Sequence, residues 1–252
     1  MLDASDWPFT DIWHPASGIC FMNVAIIAAA GQGKRLGGKR AKQFLELAGI
    51  PIIIHTLKRF EQCAAIQEIF VVLPGADNTA SFLTLAAKYG LQRKLTRVVT
   101  GGATRAESVW RGLQAIRPAT VEIVAVHDGV RPFVTPEEIS RTVEAARVGG
   151  AAILTAPATD TIKEVENGQV RRTLMRAQLR HALTPQCFRY ALLRRAYEEA
   201  GDLGADITDD SALVERLGAP ITVVEGDARN IKITRRSDIA LAEIILKEFE
   251  DK

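Results

Sequence analysis

Short, continuous apolar runs alternate with amphipathic stretches along most of this chain. The runs at 23–30, 68–74, 95–99, 121–127 and 151–156 predict strands, and their lack of polar alternation suits strands covered on both faces. Between them, apolar residues recur at helical spacing over 52–63, 78–89, 105–116 and 136–148. Strand–helix–strand alternation implies right-handed crossovers and an α/β, doubly wound, mostly parallel sheet.

The second half breaks this rhythm. TDTIKEVENGQVRRTLMR has two β-like arms around Asn167-Gly168, a strong short-range hairpin signal. The arms are polar and charged, so a β-arm at about 158–180 is expected to project from the body. It is either a solvated ribbon or a surface for a second subunit. A helix near 187–200 follows, then the loop GDLGADITDDSALVE leading into another helix. That helix is expected to open near Thr208, with Asp209 and Asp210 favourably placed in its first turn. A strand at 220–225 and a helix at 237–249 complete the pattern.

Residues 1–22 differ from the rest, with Trp7, Trp13, three aspartates and no lysine or arginine. They fit neither a secretory signal nor a transit peptide. They read as an added, disordered leader before a single domain at 23–252.

Composition narrows the function classes. A hydrophobic fraction of 47% and a charged fraction of 25% are ordinary for a soluble globular protein. No apolar run approaches the roughly 18 residues of a membrane helix. A net charge of +2 is too small to suggest a nucleic-acid binder, so any anionic ligand must meet a local cluster. Cys20, Cys63 and Cys187 are scattered without metal-ligand spacing, which points to reduced thiols and a cytoplasmic protein. His14, His55, His127 and His181 form no HExxH pair, so zinc chemistry is not expected.

That local cluster is AIIAAAGQGKRLGGKRAKQF, in which Lys34, Arg35, Lys39, Arg40 and Lys42 crowd a glycine-rich loop behind a predicted strand. Ligands of open α/β sheets bind beyond the carboxyl ends of strands. A dinucleotide fingerprint is disfavoured because Leu36 stands where a third glycine belongs. A phosphate-binding loop of the GxxxxGK[ST] type fails at Arg40, which replaces the hydroxyl that holds Mg²⁺. A nucleotidyltransferase loop fits better: small residues admit base and phosphates, and Arg35 and Lys42 supply charge-assisted contacts. Lys34, Lys39 and Arg40 are expected to point into water. In VAVHDGVRPF, Asp128 ends a strand and Arg131 follows; the pair either meets metal or substrate or is a buried structural pair.

Seven segments occur in a characteristic order: AAAGQGKRLGGKRAKQF, TGGATRAESV, VHDGVRPF, APATDTIK, HALTPQ, ADITDDSALVE and GDARNIKIT. Together they resemble the 2-C-methyl-D-erythritol 4-phosphate cytidylyltransferases of the non-mevalonate isoprenoid route, over about 23–246. The resemblance implies a Rossmann-like nucleotidyltransferase fold and transfer of CMP from CTP to a sugar-alcohol phosphate, releasing pyrophosphate. It implies that Ala29, Ala30, Gly31, Gly101, Gly102 and Ser108 bind the nucleotide. It assigns Arg35, Lys42 and Lys232 to catalysis, and Asp128, Arg131, Thr161, Arg176, Thr184 and Thr208 to the second substrate. Mg²⁺ or another divalent cation is expected with CTP, with no protein metal ligand assigned. Arg176, on the arm, is expected to reach a partner's site in a homodimer.

Two positions depart from the family pattern. Ala41 stands where a proline is common, and Ala103 where an acidic residue is common; both are expected to tune the site. A ribitol 5-phosphate cytidylyltransferase and a non-catalytic nucleotide-binding module remain the alternatives. No fused cyclase domain is expected after Lys252.

Overall fold

The computed structural model describes residues 21–31, 42–75, 78–204 and 206–250. The chain opens with β1 (Met22–Ala28) and, after a 3-10 turn at Lys42–Phe44, the short pair β2 (Glu46–Leu47) and β3 (Ile50–Pro51). There follow α1 (Ile52–Gln62), β4 (Glu68–Leu73), α2 (Thr79–Lys88), β5 (Leu95–Thr100), α3 (Arg105–Gln114) and β6 (Val121–Asp128). The second half holds α4 (Pro136–Gly149), β7 (Ala151–Pro157), β8 (Lys163–Glu166), β9 (Gln169–Thr173) and β10 (Arg180–Arg189). It ends with α5 (Tyr190–Glu199), α6 (Ser211–Arg216), β11 (Thr222–Glu225) and α7 (Arg236–Glu250).

Seven strands form one sheet in the order β11-β7-β10-β6-β1-β4-β5. All neighbours pair in parallel except β10, which is antiparallel to both β6 and β7. Alternate residues of β1 serve opposite faces. Ala25 and Ile27 join a core with α1, α2 and α4, whereas Val24 and Ile26 join one with α3, α5 and α6. Two-sided burial is why β1, β4, β6 and β7 read as unbroken apolar runs, whereas β5, expected to be covered on both faces, is a half-buried to exposed edge strand. A third core, with Leu47, Val130, Phe133 and Ile233, seats α7 beside the turn after β6.

Local signals set the boundaries. Thr135 and Glu138 close a reciprocal capping box at the start of α4, with Pro136 as its first residue, and Gly150 at φ 87° ends it. In the hairpin β8–β9, Asn167 and Gly168 take φ values of 51° and 78°, as a two-residue turn of this hand requires. The hairpin stands apart from the seven-stranded sheet, with Val165 and Val170 more than half exposed.

Two expectations need correction. The helix predicted over 187–200 begins only at Tyr190, because Cys187 and Phe188 lie inside β10, paired on both sides. Pro185 hid that strand; it falls at the register shift between Ala182 and Gln186, where an N–H is dispensable. The helix predicted near Thr208 starts at Ser211, so Asp209 and Asp210 precede it rather than occupy its first turn. Asp209 Oδ1 instead accepts from the Ala212 amide at 3.0 Å. Of the leader expected at 1–22, residues 1–20 lie outside the described residues, whereas Met22 already opens β1. No helix among the described residues is long and apolar enough to cross a membrane.

Candidate active site

The carboxyl ends of β1, β5 and β6 meet at one edge of the sheet. The Ala29 amide donates to Val72 O at 2.9 Å and the Gly101 amide to Leu73 O at 2.8 Å, which draws the two loops together over β4. Their approach is so close that a Cβ on Gly101 would lie 2.3 Å from Ala30 Cβ and 2.8 Å from Ser108 Oγ. No other residue type fits there without a shift of the backbone. Ser108 Oγ accepts from the Gly102 amide at 3.1 Å and donates to Thr104 O at 2.8 Å, tying the loop to the first turn of α3. Lys42 reaches back from its 3-10 turn, its Cε 3.5 Å from where a Gly31 Cβ would stand. Predicted nucleotide residues from three segments thus converge. Arg35 lies outside the described residues, as do Lys34, Lys39, Arg40 and Ala41.

Asp128 is the hub of the second half of the site. It ends β6 opposite Ala28 of β1 and is 6% exposed. Lys232 Nζ lies 2.7 Å from its Oδ2 and Arg105 Nε 3.1 Å from its Oδ1, while Arg131 Nε approaches Oδ2 at 3.6 Å. Arg105 also bonds Asp210, with Nη2 2.8 Å from Oδ2, and Asp210 accepts from the Tyr197 hydroxyl. The Lys232 loop is fastened where it is needed. Ile233 N donates to Val130 O at 3.0 Å, Asn230 Nδ2 to Thr184 O at 2.9 Å, and Arg131 Nη1 to Asn230 O at 2.7 Å.

These contacts set the charges. Burial alone would raise the Asp128 carboxyl, but Arg105, Lys232 and Arg131 hold it far below the usual carboxylate range. Burial would also lower the Arg105 guanidinium; Asp210 and Asp128 outweigh it and raise it. For Arg131 burial wins over Asp128, and the guanidinium is lowered. His127 is fully buried against Phe60, and desolvation pushes it down to about 4. Three cations against two carboxylates leave this ion-paired group with one surplus positive charge.

Of the residues assigned to the second substrate, Asp128, Arg131 and Thr184 come together with Lys232. Thr208 is exposed, just ahead of Asp209 and Asp210. Thr161 and Arg176 belong to the arm segment, where Arg176 is exposed and its Nη1 donates to Thr159 O at 2.9 Å. Among the described residues, no hydrogen bond or ion pair joins these two to the Asp128 cluster. The site also contains Arg105, Asn230 and Asp210, whose roles sequence reasoning missed. Arg105 stood in TGGATRAESV and Asn230 in GDARNIKIT, but only the tertiary fold turns either towards the cluster.

Comparison with known proteins agrees with this architecture. A family model described as 2-C-methyl-D-erythritol 4-phosphate cytidylyltransferase (IspD) matches residues 23–248. A protein of that name from Bacillus velezensis is 45% identical over 225 residues, 89% of this chain and 95% of its own. Another, from Geobacter metallireducens, is 42% identical over 226 residues, 89% of this chain and 97% of its own. The crystal structure of 4-diphosphocytidyl-2C-methyl-D-erythritol synthase from Anaerococcus prevotii superposes with a TM-score of 0.79 at 33% identity, covering 90% of this chain and 96% of that one. The Thermus thermophilus cytidylyltransferase structure gives 0.71 at 35% identity, covering 90% and 99%. On its sequence, its sheet and its site, the chain belongs to the 2-C-methyl-D-erythritol 4-phosphate cytidylyltransferase family.

Proposed function

We propose that this chain transfers CMP from CTP to 2-C-methyl-D-erythritol 4-phosphate, giving 4-diphosphocytidyl-2-C-methyl-D-erythritol and pyrophosphate, at the cleft between the Ala30–Gly101 loops and the Asp128 cluster. The observation that carries the reading is the surplus of cations around buried Asp128, beside the closely packed Gly31 and Gly101 loops that Lys42 reaches. A phosphomonoester oxygen of the polyol attacks the α-phosphorus of CTP in line. The new P–O bond forms as the bond to the β-phosphate breaks, and pyrophosphate carries off the electron pair. The phosphomonoester has its second pKa near 6 and is mostly dianionic at pH 7, so no general base is needed. Catalysis then rests on alignment and on neutralising the accumulating charge. Lys42 and Arg35 face the triphosphate. Lys232 turns from Asp128 towards the incoming phosphate, and Asp128 and Arg131 hold the polyol end.

A divalent cation such as Mg²⁺ enters with the CTP triphosphate as part of the substrate. Asp128 is a poor metal ligand here, because Arg105, Arg131 and Lys232 already occupy its carboxylate. The arm serves a homodimer, bringing Thr161 and the partner subunit's Arg176 to each site. Its exposed Val165, Val170 and Met175 support that reading, and among the described residues Arg176 bonds Thr159 O rather than any member of its own cluster. The buried free thiols of Cys63 and Cys187 suit a cytoplasmic enzyme.

Subunit mixing tests the shared site. Lys42→Ala and Arg176→Ala proteins, each nearly inactive, should regain turnover when their subunits are exchanged, since some mixed dimers carry one intact site. Exchange verified by mass spectrometry without recovered turnover would refute the trans role of Arg176.

A further inference from the structure

Among the described residues, the His127 ring makes no hydrogen bond to a charged side chain, yet both of its nitrogens are engaged. Nε2 lies 3.0 Å from Arg131 O and Nδ1 lies 2.9 Å from Thr184 Oγ1. A carbonyl oxygen can only accept, so Nε2 carries the proton. A charged ring, protonated at both nitrogens, is opposed by complete burial, the largest effect, and by the Arg131 and Arg105 guanidinium groups, against the favouring Arg131 carbonyl and Asp128 carboxylate. The ring is therefore neutral, and its Nδ1 is an acceptor.

That settles the polarity of Thr184. Its single hydroxyl proton goes to Nδ1, and one of its lone pairs receives the Asp128 amide at 3.3 Å. What remains is a lone pair. A hydroxyl in this state can accept from a ligand and has nothing left to donate. A phosphate dianion offers only acceptor oxygens, whereas each polyol hydroxyl offers a proton. Asn230 holds the arrangement from the other side, bonding Thr184 O through Nδ2 and receiving Arg131 on its own carbonyl.

We propose that His127 is a positioning residue that fixes Thr184 as a hydrogen-bond acceptor, so that Thr184 meets a hydroxyl of the polyol and never a phosphate oxygen. The inference rests on the reading of this cleft as the polyol-phosphate site and divides it chemically. The Thr184 side reads hydroxyls, and the Lys232 side reads the phosphate. The acceptor is set by a ring on the core side of β6, not by the ligand, so the preference exists before anything binds.

Nitrogen-15 spectra of the imidazole in the ligand-free protein test the first half. The expected pattern is that of a neutral ring protonated at Nε2 throughout the neutral pH range. A ring protonated at Nδ1, or a charged one, would overturn the proposal. Calorimetric binding of the polyol phosphate, the unphosphorylated polyol and inorganic phosphate tests the second. Thr184→Val should weaken both polyols about tenfold, one hydrogen bond's worth, and leave inorganic phosphate unchanged. Thr184→Ser should restore wild-type values.

His127→Asn places Oδ1 where Nδ1 was and should keep most of the polyol affinity; His127→Gln keeps only the Nε2 side and should lose it. Weakened inorganic phosphate in Thr184→Val, or equal effects of the two His127 variants on all three ligands, would contradict the assignment. Failure of the wild type to bind the polyol phosphate would sink the functional reading itself, and with it the ligand half of this proposal, while the ring spectrum would still judge the other half.

Discussion

Replacing Arg105 with methionine removes the group that joins the two buried carboxylates of the site. Arg105 lies 2.8 Å from Asp210 and 3.1 Å from Asp128, with its side chain 23% exposed and that of Asp210 fully buried. Without it Asp128 keeps Lys232 and Arg131, but among the described residues the Asp210 carboxylate keeps only the Tyr197 hydroxyl. Breaking a buried pair by removing one partner costs about 3–5 kcal/mol; partial solvent access to Arg105 places the expectation near about 3 kcal/mol. At roughly 2–4 °C per kcal/mol for a chain of this size, Tm should fall by about 10 °C. Urea unfolding followed by circular dichroism measures the loss directly. The penalty is an uncompensated charge, so Asp210→Asn added to Arg105→Met should recover more than half of it. Arg105→Lys should fall between, because a point charge cannot span both carboxylates. A stability change under about 0.5 kcal/mol in Arg105→Met, or a double variant as unstable as the two single losses combined, would refute the reasoning.

The remaining expectations touch the nucleotide loop, pH and the arm. Gly101→Ala puts a Cβ 2.3 Å from Ala30 Cβ, so the loops must part; the KM for CTP should rise about tenfold or more, and an unchanged value would argue against nucleotide binding there. His127 has a folded pKa near 4 against an ordinary 6.5. The unfolded chain therefore binds the extra proton first, and stability is full above about 6.5 and declines as pH falls towards 4. At about 1.4 kcal/mol for each tenfold change in proton affinity, the whole decline is about 3 kcal/mol. Urea titrations should show it, and a stable His127→Asn protein should be flatter between about pH 6.5 and 5; an identical slope would assign the decline elsewhere. Val165→Glu with Val170→Glu charges the exposed apolar positions of β8 and β9, and light scattering should report the proposed homodimer falling to monomer. A variant that keeps the wild-type mass would show that the arm is not the interface.

The alternating frame was legible because two-faced burial leaves an unmistakable apolar run in β1, β4, β6 and β7. The antiparallel strand β10 was not, since Pro185 and the polar residues around it resemble a loop until β6 and β7 are known to flank them. The turn chemistry of Asn167-Gly168 is local, and the hairpin was read correctly from it. At the site, Asp128, Arg131, Thr184 and Lys232 could be picked out by motif, and the fold joins them. Arg105 and Asn230 are different. One opens a helix and the other sits in a loop, and nothing local distinguishes either from a solvated residue. Their importance arises from long-range contacts, with Arg105 crossing to Asp128 and Asp210, and Asn230 to Thr184. The same holds for His127, whose motif marked the place while only the hydrogen bonds on its two nitrogens reveal what the ring decides.

Pyrophosphate release measured with each of the four nucleoside triphosphates, against 2-C-methyl-D-erythritol 4-phosphate and against ribitol 5-phosphate, tests the central claim most directly. The account predicts turnover with CTP and the methylerythritol substrate that exceeds every other combination by about a hundredfold or more. No turnover with that pair, or a preference for ribitol 5-phosphate, would contradict it.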